Sequence, residues 1–242
     1  MKIVAKTDIG KKRESNQDSY ATGELPGSVA WAVVCDGMGG AAGGNLASST
    51  AVKIISERIT STYRTGMSAS SIRNMFASAI AAANISVYDM SKANPELTGM
   101  GTTVVVAIVV DNTVFIAHAG DSRGYILSEN SLNQLTKDHS IVQEMIDQGT
   151  LTLDEAKTDP RKNIITRALG VDSELSFDFN IADISEKDVL IICTDGLTNY
   201  VEPQEFYELT SDGKYNEYAE RLVNRANNNG GGDNITVVTI GY

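Results

Sequence analysis

Cysteine and histidine are scarce in this chain, with two of each among 242 residues. Both cysteines, Cys35 and Cys193, lie inside apolar runs. A reduced thiol there behaves as a small buried hydrophobe. A disulfide framework is therefore not indicated, and a reducing, cytoplasmic compartment is expected. The same positions make a poor zinc site. Positive charge is also short: 20 lysines and arginines face 31 aspartates and glutamates, a net charge of −11. That balance disfavours non-specific binding to nucleic acid or to an anionic membrane. Two or three bound divalent cations would offset roughly 4 to 6 of these charges, and the remaining acids read as solvated surface. No apolar run approaches the roughly 20 residues that span a bilayer. The opening Met1-Lys2-Ile3-Val4-Ala5-Lys6-Thr7-Asp8 does not read as a signal peptide, because polar residues interrupt it before an apolar stretch develops. No linker rich in proline, glycine or serine divides the chain, whose length fits one large domain or two small ones.

What the chain does have is aspartate where hydrophobic runs meet turns. Asp36 closes Trp31-Ala32-Val33-Val34-Cys35 and opens Asp36-Gly37-Met38-Gly39-Gly40. Asp121 follows Val114-Phe115-Ile116-Ala117-His118-Ala119-Gly120. Asp195 ends Val189-Leu190-Ile191-Ile192-Cys193-Thr194, and Asp233 stands just before Ile235-Thr236-Val237-Val238-Thr239-Ile240. Carboxylates at strand ends can converge at one sheet edge, where their mutual repulsion calls for a cation. The pattern suggests a site for hard divalent metals.

Periodicity gives the coarse order of elements. Strands are expected at about 2–8 and 29–35, with a loop between them. Two helices follow. In the second, Ile72, Met75, Phe76, Ala79, Ile80, Ala83, Val87 and Met90 form one apolar stripe. Serines 68, 70 and 71 offer N-caps, and Asn94-Pro95 closes the pair. Strands are expected at Thr102–Val110, Val114–Ala119, Gly124–Leu127 and near Leu132–Leu135, with Asp111-Asn112 as a tight turn. Residues 137–168 are charged and weakly periodic, which marks a flap. Strands at about 176–182 and 188–194, helices at about 202–209 and 215–228, and a last strand complete the chain. Strands in runs and helices in pairs argue against a βαβ order and for an α+β sandwich of antiparallel sheets with helices outside.

Taken singly, Asp36-Gly37, Gly120-Asp121-Ser122-Arg123, Thr194-Asp195-Gly196 and Gly232-Asp233-Asn234 also read as ordinary turns, and Arg13 as a solvated arginine. Taken together and in order they are specific. Arg13 with Asn16-Gln17-Asp18, Asp36-Gly37-Met38-Gly39-Gly40, Gly101-Thr102-Thr103, Gly120-Asp121-Ser122-Arg123, Leu135-Thr136-Lys137-Asp138-His139-Ser140, Ile165-Thr166-Arg167-Ala168-Leu169-Gly170, Thr194-Asp195-Gly196-Leu197 and Asp233-Asn234-Ile235-Thr236 resemble the PP2C family of metal-dependent serine/threonine protein phosphatases, in its compact bacterial form. The resemblance spans essentially the whole chain, so residues 1–242 are expected to form a single domain.

The resemblance implies an α-β-β-α sandwich with metals at one end. It implies that Asp36 bridges two Mg²⁺ or Mn²⁺ ions, that the Gly37 carbonyl binds the first, and that Asp195 and Asp233 bind the second. Asp121 with Asp195 would hold a third, weaker ion, and Asp18 would act near the first through water. Arg13 would clamp the substrate phosphate, and His139, on the loop entering the flap, is a candidate substrate contact. His118, alternating within a strand, reads as core. The implied substrates are phosphorylated proteins, the implied partner a serine/threonine kinase, and the implied state a monomer. Two departures stand out. Many eukaryotic relatives carry histidine, a candidate general acid, where this chain has Met38, and bacterial relatives tend to have histidine and glutamate where it has Ala41 and Asn45. Neither removes an expected ligand. A pseudophosphatase and a two-metal phosphodiesterase are the competing classes. The complete set of carboxylates speaks against the first, and the missing basic stripe against the second.

Overall fold

The computed structural model describes residues 1–129, 131–210 and 212–242, with the side chains of Ala41 and Ala42 outside the described set. Of the two rim positions noted above, Ala41 therefore falls outside the description.

Among the described residues, eleven strands build two antiparallel sheets. The first contains β1 (Lys2–Asp8), β7 (Arg123–Ser128), β8 (Ser131–Gln134), β10 (Val189–Cys193) and β11 (Ile235–Gly241), in the order β1-β11-β10-β7-β8. The second contains β2 (Asp18–Leu25), β3 (Val29–Met38), β5 (Val104–Val110), β6 (Thr113–Ala119) and β9 (Asp178–Asp183), in the order β2-β3-β5-β6-β9, with the two-residue β4 (Gly101–Thr102) beside β3. Two long helices, α1 (Gly40–Thr62) and α2 (Ala69–Ala93), cover the second sheet. The first sheet is covered by α6 (Pro203–Thr210) and α7 (Tyr218–Asn228). The small helices α3 (Ile141–Asp147), α4 (Leu153–Ala156) and α5 (Asp195–Thr198) lie in connections.

The strands alternate, but both faces are apolar. On β3, Trp31, Val33 and Cys35 point at α1 and α2, while Ala30, Ala32 and Val34 meet the other sheet. On β10, Val189, Ile191 and Cys193 point at α6 and α7, and Leu190 and Ile192 point between the sheets. A strand buried on both faces reads as a continuous hydrophobic run. This period-two division places both thiols against helices, and both are free and buried. Helix α2 buries the stripe expected from its sequence and starts on Ser68, whose Oγ accepts from the Ser71 N–H. Asp111 adopts a left-handed φ of 48° in the tight turn between β5 and β6.

Three expectations need correction. Strand β2 was read as loop, because Asp-Ser-Tyr-Ala-Thr-Gly-Glu-Leu is polar; as an edge strand it needs few apolar residues. The strand expected over Thr102–Val110 is two, since the chain breaks between β4 and β5 at Thr103. Asp36 does not end its strand: β3 runs on to Met38, paired on one side with Asp18 of β2 and on the other with β4. Among the described residues no helix is long and apolar enough to cross a membrane.

Candidate active site

One end of the sandwich collects the end of β3, the β6–β7 turn, the β10–α5 junction, the segment before β11 and the loop between β1 and β2. Asp36, Gly37, Asp121, Asp195, Asp233 and Arg13 line one cleft there, of about 610 Å³.

Each carboxylate is placed by its neighbours. The Asp36 amide donates to Thr103 Oγ1 at 2.9 Å, and its carbonyl accepts from the Thr103 amide and from Thr102 Oγ1, each at 2.8 Å. Thr103 Oγ1 in turn lies 2.7 Å from Ser122 Oγ, which ties the Asp36 strand to the turn that carries Asp121. Gly37 is required by close approach: an added Cβ would lie 2.0 Å from the Gly44 carbonyl oxygen of α1. Asp18 sits beside Asp36 in register and is buried. Its Oδ2 accepts from Thr194 Oγ1 at 2.9 Å and Thr236 Oγ1 at 2.7 Å. Asp195 opens α5, and its Oδ2 accepts from Asn199 Nδ2 at 2.9 Å. Asp233 is paired with Arg13 Nη2 at 2.8 Å. Its neighbour Asn234 anchors the loop that carries Arg13. Asn234 Oδ1 accepts from the Gln17 amide, and Nδ2 donates to the carbonyls of Ile9 and Ser15.

The electrostatics of this end are unfavourable for bare carboxylates. Burial, followed by repulsion from Asp18, Asp195, Asp121 and Asp233, pushes Asp36 well above the ordinary carboxylate value. Burial pushes Asp18 up to about 7, against the opposing hydrogen bonds from Thr236 and Thr194. Asp121 rises to about 8, through burial and the charges of Asp195 and Asp138. Asp195 is raised by burial and by Asp233. Two buried oxygens, Asp18 Oδ1 and Asp195 Oδ1, have no hydrogen-bond partner. Buried acceptors without donors, among charges of one sign, fit divalent cations held by oxygen. Among the described residues the one group of three ligand-type side chains with atoms within 4.8 Å of one another lies elsewhere, at His118, His139 and Asp178.

His139 departs from expectation. It does not line the cleft; its ring is buried, stacked on His118, with both nitrogens engaged by Gly120, Asp178 and Arg167. A side chain so enclosed has no face for substrate. His118 is buried as expected. From the flap, Asn163 and Ile165 reach the cleft.

The model of the family described as protein phosphatase 2C matches residues 10–236. The chain belongs to the protein phosphatase 2C family. The "Serine/threonine phosphatase stp" of Listeria welshimeri is 38% identical over 236 residues, covering 97% of this chain and 93% of the relative. "Protein phosphatase PhpP" of Streptococcus pneumoniae is 36% identical over 99% of this chain and 97% of the relative. The S. agalactiae serine/threonine phosphatase superposes with a TM-score of 0.93 at 32% identity, covering 100% of this chain and 99% of that one. The catalytic domain of the serine threonine protein phosphatase PstP, solved in complex with two manganese ions, gives a TM-score of 0.85 at 30% identity, covering 98% and 96%. The two-sheet architecture is that of the family, and this protein phosphatase 2C depends on divalent metal.

Thr102, Thr103, Ser122, Thr194, Thr236 and Asn234 all lie inside the motif blocks, but only the fold shows what each one holds: Thr194 and Thr236 the Asp18 carboxylate, Thr102 and Thr103 the Asp36 backbone, Ser122 the Thr103 hydroxyl and Asn234 the loop of Arg13.

Proposed function

We propose that this protein phosphatase 2C hydrolyses phosphoserine and phosphothreonine in proteins, opposing a serine/threonine kinase, as a cytoplasmic monomer. The observation that carries the reading is the carboxylate cluster in the cleft, with its raised pKa values, partnerless oxygens and the Arg13 guanidinium beside it. Asp36 would bridge two Mg²⁺ or Mn²⁺ ions, the Gly37 carbonyl would complete the first, and Asp195 and Asp233 the second. Asp121 with Asp195 would hold a third, and Asp18 would act through water. When bound, such ions lower the pKa of water and offset phosphoryl charge.

The chain's own residues do the rest. Arg13, half exposed at the cleft and paired to Asp233 through one nitrogen, would turn to grip a phosphate through two N–H groups. The carboxylates of Asp18, Asp195 and Asp233 are held by the Thr194 and Thr236 hydroxyls, by Asn199 and by the Asn234 amide with Arg13 before substrate arrives, so positioning and charge supply most of the rate. Met38 lines the cleft and offers no proton, so the leaving serine or threonine oxygen takes its proton from water or from another group. Cys35 and Cys193 are buried and take no part. The flap over 137–168 contributes Asn163 and Ile165 to the rim and so shapes access for protein substrates.

Phosphate release from a phosphothreonine peptide with Mn²⁺, measured with and without chelator and beside Asp36→Ala, tests the assignment. Activity that vanishes with chelator and in the variant is expected. Absence of metal-dependent release would overturn it, and activity confined to a phosphodiester would favour a different hydrolase.

A further inference from the structure

His118, His139 and Asp178 have the composition of a metal site, but their geometry argues otherwise. The two imidazoles are stacked, with centroids 4.6 Å apart and planes 8° apart. Ring nitrogens point their lone pairs in the ring plane, so two nearly parallel rings do not aim at one ion. Three of the four ring nitrogens are also occupied, and His118 Nδ1 is buried without a partner. His118 Nε2 lies 2.8 Å from the Lys137 carbonyl oxygen, and a cation, Arg167 Nη1, sits 3.0 Å from His139 Nε2.

The hydrogen bonds of His139 point to another role. The Gly120 amide is buried and can only donate, and it donates to His139 Nδ1 at 3.2 Å. Arg167 Nη1 already donates to Asp178 Oδ1, whereas the buried Gly120 amide has its acceptor in Nδ1. Nδ1 is thus assigned as the unprotonated nitrogen and Nε2 as the carrier of the ring proton, which makes the 3.0 Å approach of Arg167 to Nε2 a contact between two donors and not a hydrogen bond. That proton faces Asp178 Oδ2 at 3.3 Å. Arg167 Nη1 donates to Asp178 Oδ1 at 2.9 Å, which fixes the carboxylate opposite the ring. The backbone completes the clamp: the His139 amide donates to the Gly120 carbonyl at 2.9 Å. Gly120 has a φ of 108°, and an added Cβ would lie 2.7 Å from Thr103 Cγ2. Only glycine fits this turn, yet glycine does little to restrict its own backbone. The constraint comes from outside, and the next residue is Asp121.

We propose that His139 is a positioning residue for the outer metal ligand: its amide and its unprotonated Nδ1 together grip Gly120 and so fix the Asp121 carboxylate, while Asp178, itself fixed by Arg167, holds the ring in the tautomer that accepts. This rests on the assignment of Asp121 given above. It also links the metal end to the flap, because Arg167 and His139 sit at the two ends of that segment, joined by the Thr166 amide to the His139 carbonyl at 2.8 Å.

The test compares His139→Asn, whose Oδ1 can replace the acceptor, with His139→Leu, which has none. Hydrogen exchange of the metal-free protein reads the Gly120 amide, and Mn²⁺ titration followed by electron paramagnetic resonance reads the ions. In His139→Leu, exchange at Gly120 and the dissociation constant of the weakest ion should both rise about tenfold, the effect of losing one buried hydrogen bond. His139→Asn should restore both most of the way. Wild-type exchange and ion binding in His139→Leu would overturn the proposal, as would equal loosening in both variants at an unchanged melting temperature. Should His139→Leu fail to fold, Asp178→Ala, which alters a half-exposed carboxylate, gives the reading: Gly120 exchange should rise, and no change would overturn the clamp. An Asp121→Ala control that keeps every ion would overturn the assignment of Asp121, with the exchange comparison still deciding the clamp.

Discussion

Asp36→Asn should stabilise the metal-free protein while abolishing its response to metal. The side chain keeps its shape, and its backbone contacts to Thr102 and Thr103 do not involve the carboxylate. What it loses is a charge that burial and four neighbouring carboxylates oppose. Relief of that kind is worth about 0.5–2 kcal/mol, or about 1–8 °C in melting temperature at roughly 2–4 °C per kcal/mol for a chain of this size. Metal works in the opposite sense. An ion present at about 100 times its dissociation constant adds about 2.7 kcal/mol, so wild type should gain about 5–11 °C per ion. Asp36→Asn should gain little. The pH dependence has a defined sign. A carboxylate raised from the ordinary 3.8 to about 7, as at Asp18, or to about 8, as at Asp121, favours the folded state only while protonated. Its contribution is present at low pH and is lost as pH rises through the folded value. His118 and His139, lowered chiefly by burial, act in the opposite direction, but only below their ordinary 6.5. Between pH 6.5 and 8, therefore, metal-free wild type should melt at falling temperature as pH rises, and Asp36→Asn with a shallower slope. Calorimetric melts in EDTA and in Mn²⁺ across that window decide the matter. A lower midpoint for Asp36→Asn in EDTA, or an undiminished gain from Mn²⁺, would refute the reasoning.

Arg13→Ala removes charge-assisted hydrogen bonds worth about 1.5–3 kcal/mol, so kcat/KM on a phosphopeptide should fall roughly 10- to 150-fold, chiefly through KM, with the melting temperature nearly unchanged. Thr103→Val keeps the side-chain shape but strands the Asp36 amide and Ser122 Oγ; unfolding should ease by about 1–3 kcal/mol, and chemical denaturation at fixed pH would show it. Burial pushes the Cys193 thiol up to about 12 and raises Cys35 further, so both are neutral at ordinary pH. Alkylating reagent should leave native activity intact and label both positions only after unfolding, as mass spectrometry of the two peptides would report.

The contrast between Asp36 and Asp18 shows what a single sequence conveys of this site and what it does not. Asp36 was visible because it interrupts the apolar run of β3, and such an interruption stands out wherever both faces of a strand are buried. Asp18 lies in a polar segment that gives no strand signal, and its place depends entirely on pairing: register puts it beside Asp36, and Thr194 from the β10–α5 junction and Thr236 from β11 meet its Oδ2. No local pattern encodes a contact between residues 18, 194 and 236. The flap raises the same difficulty in reverse. His139 stood in a suggestive motif near Asp121 and was read outward, toward substrate. The fold turns it inward, because the antiparallel return of the flap sets Arg167 and Asp178 on its far side and Gly120 on the near one. Motif order picks out Asp36, Asp121, Asp195 and Asp233, since each sits at a break in hydrophobic pattern. The residues that hydrogen-bond around them break no pattern. Thr103, Thr194 and Thr236 are ordinary residues by composition, and only the pairing of segments distant in sequence gives each hydroxyl its carboxylate or amide.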